Sequence, residues 1–96
     1  MINVTITHNK ITVTGHAYYA QRGSPDIVCA SVSMLFQSLI ESLEQLTTDK
    51  IEYNLESGNS HINFKDLSAG GKLLVDSFYL GILLLIDAYP NHVSKT

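Results

Sequence analysis

His16 and the chain's single cysteine, Cys29, stand at the two ends of one short, glycine-bearing stretch, GHAYYAQRGSPDIVCASVS. A thiol acts as a nucleophile in its thiolate form, at a partly exposed place with positive potential, and a helix N-terminus supplies that potential. A nearby imidazole can take the thiol proton and return it to a leaving group. Cys29 follows Asp26 by three residues and Ser24 by five, so it falls in the first turns of a helix. His16 follows Gly15 at the end of a strand, and a loop joins the two positions, so they can meet in space. The residues alone leave a second account open. Cysteine is among the most buried residue types, and Cys29 shares a helix face with Val32 and Phe36, as a core residue would. A strand-end histidine is as readily a surface residue. Asp26 reads as a helix-start residue that could also orient His16. Ser33, one turn beyond Cys29, reads as a hydroxyl beside it or as one bonded back to a backbone carbonyl. His8, His61 and His92 have no metal-ligand spacing to one another, and a lone cysteine argues against zinc; no metal or cofactor is implied.

The elements that must position this pair follow from periodicity. Ile2, Val4 and Ile6 alternate with Asn3, Thr5 and Thr7, a half-buried strand. Asn9-Lys10 suits a tight turn, and Ile11 and Val13 alternating with Thr12 and Thr14 predict a second strand ending at Gly15-His16. Ser24-Pro25-Asp26 predicts a helix start, with Ser24 as the cap, Pro25 in the first turn and Asp26 at the positive end of the dipole. Val28, Val32, Leu35, Phe36, Leu39, Ile40, Leu43 and Leu46 then form an apolar stripe that ends at residues 47–49. Ile51, Tyr53 and Leu55 predict a third strand and Ile62 and Phe64 a fourth, joined by a turn at Ser57-Gly58-Asn59. Residues 67–71, with two glycines, read as a connector, and residues 72–89 as a second helix closed by Pro90. That helix is apolar on nearly all sides, so one face should pack on the sheet and another on a second subunit. Residues 92–96 read as a short tail that can add one more extended segment. The order ββαββα predicts an α+β fold of two layers, a four-stranded antiparallel sheet with both long helices on one face, in a single domain spanning residues 1–96.

Composition narrows the function classes. A net charge of −3 with no basic run argues against a binder that works by neutralising nucleic-acid phosphates. One cysteine cannot form an internal disulfide, so nothing requires an oxidising compartment. No charged segment followed by an apolar run opens the chain, and the apolar run of residues 73–86 is interrupted and short for a bilayer, so the reading is a cytoplasmic protein without a membrane partner.

At GHAYYA and DIVCASVS the sequence resembles the ribosomal-processing cysteine proteases, whose signature is close to G-H-A-x-Y-A, a short glycine-containing loop, then D-I-V-C-A-A-V-S. The likeness covers nearly the whole chain, including the Ala88-Tyr89-Pro90 ending with Val93. The resemblance implies a catalytic dyad of His16 and Cys29, supporting roles for Asp26 and Ser33, and substrate contacts around Gly15, Tyr19, Gly23 and Ala30. It implies a ββαββα homodimer that removes a short N-terminal extension from a large-subunit ribosomal protein, cutting after an aromatic pair, with a loop between His16 and Cys29 that orders on substrate. Two departures stand out: the loop Arg22-Gly23-Ser24-Pro25-Asp26 is one residue longer than usual and stiffened by Pro25, and Ser31 replaces an alanine.

The resulting expectation is a cysteine endopeptidase. Cys29 thiolate attacks the scissile carbonyl, His16 protonates the leaving amine, and backbone N–H groups of residues 27–30 stabilise the oxyanion. An aromatic-binding pocket is expected between Tyr18 or Tyr19, the start of the first helix and the partner subunit. Two other classes compete: a non-catalytic homodimeric module binding a ribosomal or phage protein, with Cys29 buried and unreactive, and a small thioesterase or acyl-binding protein with a deep apolar tunnel.

Overall fold

The structure, a computed structural model, describes residues 1–96. Five strands and two helices run in the order β1 (Ile2–Ile6), β2 (Lys10–Thr14), α1 (Ile27–Leu46), β3 (Ile51–Asn54), β4 (Asn59–Phe64), α2 (Ala69–Ala88) and β5 (Val93–Lys95). The sheet order is β3-β4-β2-β1-β5. The α+β architecture agrees with the sequence, but the sheet has a fifth strand: β5 pairs parallel to β1, with Ile2 opposite Val93. The other pairings are antiparallel, with Ile11 opposite Ile62 and Tyr53 also opposite Ile62. The sheet is therefore mixed rather than wholly antiparallel.

The strand alternation sorts the two faces. Ile2, Val4, Ile11, Ile62, Phe64 and Val93 are buried under the helices, where they meet Val28, Val32, Phe36, Leu39, Ile40 and Leu43 of α1 and Phe78 and Ile82 of α2. Burying an aliphatic or aromatic side chain of this size contributes about 1.5–3 kcal/mol, so this shared core is what holds the helices on the sheet. The opposite face carries Asn3, Thr5, Thr12, His61, Asn63 and Ser94 at the paired positions. There Ser94 Oγ donates to Asn3 Oδ1 at 2.9 Å, and the Thr5 and Thr96 hydroxyls lie 2.7 Å apart.

Both helix starts differ from the expected ones. Asp26, not Ser24, caps α1, and its Oδ1 accepts the N–H groups of Val28 and Cys29, each at 3.0 Å. α2 begins before the glycine pair: Ser68 caps it by accepting the Gly71 N–H, and Asp49 in turn accepts the Ser68 N–H and hydroxyl. Gly71 is buried directly against the Asp49 carboxylate, where a side chain would collide, so the glycine belongs to a close approach rather than to a loop. The hydrogen bonds to Ser68 hold the Asp49 carboxyl below the usual carboxylate range.

α2 packs on α1 across Gly81, where a Cβ would lie 3.1 Å from the Leu35 methyls. Its outer stripe, Leu73, Leu80 and Leu84, stays exposed. At 20 residues each, α1 and α2 are long and apolar enough to cross a membrane by length and composition alone. This differs from the reading of residues 73–86 as too short, because the helix extends back through the glycine pair to Ala69.

Candidate active site

β2 ends at Thr14 and the chain turns at Gly15, whose φ of +87° and contact with the Met1 carbonyl leave no room for a side chain. This turn projects His16. The cap at Asp26 sets Cys29 as the third residue of α1. The two side chains then line one small cavity of about 170 Å³ together with Gly15, Val32 and Ser33, and the β3–β4 turn at residues 56–60 forms its other wall. No hydrogen bond joins the imidazole to Sγ. Cys29 is half-buried, between the core and solvent, and His16 is exposed.

The β3–β4 turn positions the imidazole. Gly58, with φ +75°, accepts the Gly15 N–H through its carbonyl at 2.9 Å, and a Cβ placed on it would sit 2.7 Å from His16 Nε2. The ring thus lies against a backbone that only glycine leaves bare. The Tyr18 ring meets the imidazole edge-on, with centroids 5.8 Å apart, and Tyr18 itself adopts φ +53°. That left-handed conformation costs a bulky residue roughly 1–3 kcal/mol and marks a loop held by its surroundings.

The sulfur has a backbone partner that the sequence does not disclose. Ala17, nearly fully buried, donates its N–H to Cys29 Sγ at 3.3 Å. The Ala17 carbonyl lies 2.9 Å from His92 Nδ1, and the His92 ring meets the Tyr19 ring edge-on at 5.3 Å, as Tyr89 also does. By sequence His92 belongs to a tail; spacing gives no sign that a residue this distant in the chain anchors the loop.

Asp26 grips both ends of that loop. Besides capping α1, its Oδ2 accepts the N–H groups of Tyr19 and Ala20 at 3.0 and 3.3 Å. The backbone donors, that of Cys29 first, hold its carboxyl below the usual carboxylate range. These bonds go to backbone, so Asp26 does not orient His16. They also change the expected oxyanion donors: the Val28 and Cys29 N–H groups are taken by Asp26 Oδ1, and the Ala30 N–H by the Asp26 carbonyl.

Of the remaining expected positions, Gly15 and Ser33 line the Cys29 cavity. Tyr19 packs on Tyr89 and His92 instead. Gly23 takes a positive φ in open space, and Ala30 faces a separate groove with Ile27, Met34 and Leu84. Ser31, at the position where the signature has alanine, donates its hydroxyl to the Ile27 carbonyl at 2.7 Å, so the extra group is accommodated within the helix. No cluster of three metal-ligating side chains forms.

Residues 1–94 match the family described as cysteine protease Prp. The chain belongs to this family. Among curated Prp relatives, the ribosomal processing cysteine protease Prp of Mycoplasma genitalium is 30% identical over 95 residues, covering 97% of this chain and 92% of the relative. That of Mycoplasma pneumoniae is 28% identical over 96 residues, covering 98% and 92%. The fold superposes on the crystal structure of Prp from S. aureus with a covalently linked product peptide, at a TM-score of 0.86 and 20% identity over 99% of this chain and 95% of that one. The chain is thus a Prp-family cysteine protease, which sets aside the non-catalytic module and the acyl-binding protein.

Proposed function

We propose that this chain removes a short N-terminal extension from a large-subunit ribosomal protein, cutting after an aromatic pair, with Cys29 as nucleophile and His16 as its acid–base partner. The observation that carries the assignment of the dyad is the shared cavity: the one thiol and His16 face the same space from α1 and from the end of β2. His16 takes the thiol proton, Sγ adds to the scissile carbonyl, and the tetrahedral adduct collapses as His16 protonates the departing amine. Water then hydrolyses the thioester with His16 as base, which releases the new carboxylate and restores the thiol. The Ala17 N–H, already directed at Sγ, stabilises the thiolate. Asp26 supports the site by tying the loop to α1, and Ser33 by lining the cavity beside Cys29.

The exposed row Leu73, Leu80 and Leu84 supports a homodimer built on α2. A cytoplasmic location follows from the substrate, since ribosomal proteins are processed where ribosomes assemble. The test is incubation with a peptide carrying two phenylalanines before a small residue, read by mass spectrometry. Wild type should cut after the pair, and Cys29→Ala and His16→Ala should leave the peptide intact; cleavage by the Cys29→Ala protein would overturn the assignment.

A further inference from the structure

Between His16 and Cys29 two residues take a positive φ: Gly23, which does so freely, and Tyr18, at +53°, which does not. No packing accounts for the Tyr18 conformation. Its side chain is 74% exposed and stands apart from the hydrophobic core. Its hydroxyl has no part in the hydrogen bonds that hold the loop.

The backbone on either side accounts for it. The peptide joining Ala17 to Tyr18 is held by its carbonyl, which lies 2.9 Å from His92 Nδ1. The peptide joining Tyr18 to Tyr19 is held by its N–H, which donates to Asp26 Oδ2 at 3.0 Å. The dihedral angles of Tyr18 set the relation between these two planar groups, so holding both planes holds Tyr18. His92 stands at the entry to β5 and Asp26 at the cap of α1, so the two tethers come from different parts of the fold. Backbone strain of this kind persists only where the surroundings over-determine it.

The strained conformation aims the ring. The Tyr18 and His16 rings lie 5.8 Å apart between centroids, with 60° between their planes. The β3–β4 turn also touches the imidazole, at Nε2, through Gly58. Asp26 does not orient it, because both carboxylate oxygens meet backbone N–H groups. In a catalytic triad a third polar group orients the base. Here packing does so.

We propose that Tyr18 is a positioning residue: its ring, set in place by the His92 and Asp26 tethers, holds the His16 imidazole turned toward Cys29 where no carboxylate orients it. The proposal rests on the His16–Cys29 reading above and adds a residue to it. An aromatic pair favours its paired arrangement by a few-fold to about tenfold, and proton transfer is sensitive to the orientation of the base. The contact is made by the ring and not by the hydroxyl, so phenylalanine suffices and leucine does not.

Three substitutions separate the ring from the strain. Tyr18→Phe keeps both, Tyr18→Leu keeps the strain and loses the ring, and Tyr18→Gly loses both. On the aromatic-pair peptide kcat should follow the ring. Tyr18→Phe should stay near wild type, while Tyr18→Leu and Tyr18→Gly fall by about tenfold with KM changed less than about twofold. Tm should follow the strain. Tyr18→Phe and Tyr18→Leu should stay near wild type, and Tyr18→Gly should rise by a few degrees, because glycine takes a positive φ freely. The most stable variant should thus be among the least active, a pattern that a general loosening of the loop does not produce.

Wild-type kcat in Tyr18→Leu, a loss carried by KM alone, or a Tyr18→Phe protein as impaired as Tyr18→Leu would each overturn the positioning role. The dyad reading would stand in those cases as long as Cys29→Ala abolishes cleavage. A fall in Tm for Tyr18→Gly would overturn the strain that aims the ring. If Tyr18→Gly does not fold, the kcat values of Tyr18→Phe and Tyr18→Leu decide. If wild type cuts no such peptide, the dyad reading and the role of Tyr18 fall together.

Discussion

Replacing Gly58 with alanine puts a methyl group where the imidazole of His16 now lies. Two effects separate cleanly. The backbone keeps φ near +75°, which costs an L-residue roughly 1–2 kcal/mol. In a domain of this size each kcal/mol lowers Tm by roughly 4–8 °C, so a fall of about 5–15 °C is expected by thermal unfolding. The new Cβ would approach Nε2 to 2.7 Å, against an ordinary contact of 3.4 Å or more, so the ring must shift by most of an ångström. A displacement of about 1 Å of a reacting group lowers rates by on the order of a hundredfold. The assay is kcat/KM on the aromatic-pair peptide, below the Tm of the variant, with the folded fraction fixed by circular dichroism. Gly58→Asn separates the two terms, because asparagine tolerates the left-handed region yet still carries a Cβ. Its Tm should recover toward wild type while its activity stays low. An alanine variant that cuts at the wild-type rate per folded molecule would refute the idea that this turn holds His16 in place.

Asp26→Asn should lower Tm at neutral pH. Because the folded carboxyl titrates below its ordinary value of 3.8, its charge stabilises the fold above that pH and stops doing so as pH falls through the lower folded value. The Tm gap between wild type and the Asp26→Asn variant should therefore close at strongly acidic pH, and a gap that persists there undiminished would contradict the tether. His92→Ala removes the partner of the Ala17 carbonyl, worth about 1 kcal/mol. It should slow alkylation of Cys29 by iodoacetamide as well as peptide cleavage, and an unchanged alkylation rate would count against the anchor. Leu43→Ala, at a fully buried position, should cost about 2–5 kcal/mol in urea unfolding without altering kcat of the folded protein.

The apolar stripe of α1 was legible except at its end: Val28, Val32, Phe36, Leu39, Ile40 and Leu43 are buried at the spacing the sequence shows, Leu35 packs against them half-buried, and Leu46, read as part of the same stripe, is exposed in the last turn. The alternation of strands β1, β2 and β4 was equally plain, because each has one wet and one drier face, whereas β3 alternates in sequence but, at the sheet edge, leaves Tyr53 exposed. The cap of α1 was not, since Ser24 and Asp26 both suit the role; the choice falls to Asp26 because its second oxygen meets the Tyr19 and Ala20 N–H groups, which only the folded loop brings near. The glycine pair at the start of α2 reads as a break by propensity, yet Gly71 is required by the nearness of Asp49. β5 is three residues long and has too little pattern to declare itself. At the site, motif residues announced His16 and Cys29, whereas Ala17, Gly58 and His92 act through backbone contact or across the whole chain and leave no local pattern.

The parallel pairing of β1 with β5 brings together residues as far apart as Asn3 and Ser94. Contacts of such long sequence separation are slow to form, because the intervening chain must be restrained before they repay the lost freedom. His92 enters β5 directly and is the group that fixes Ala17 behind the thiol. The reactive centre is thus tied to a contact between the two ends of the chain. A chain that has both helices and the two hairpins but not yet β5 still lacks the His92 contact with the Ala17 carbonyl, so the support behind the thiol is completed only when the two ends of the chain meet.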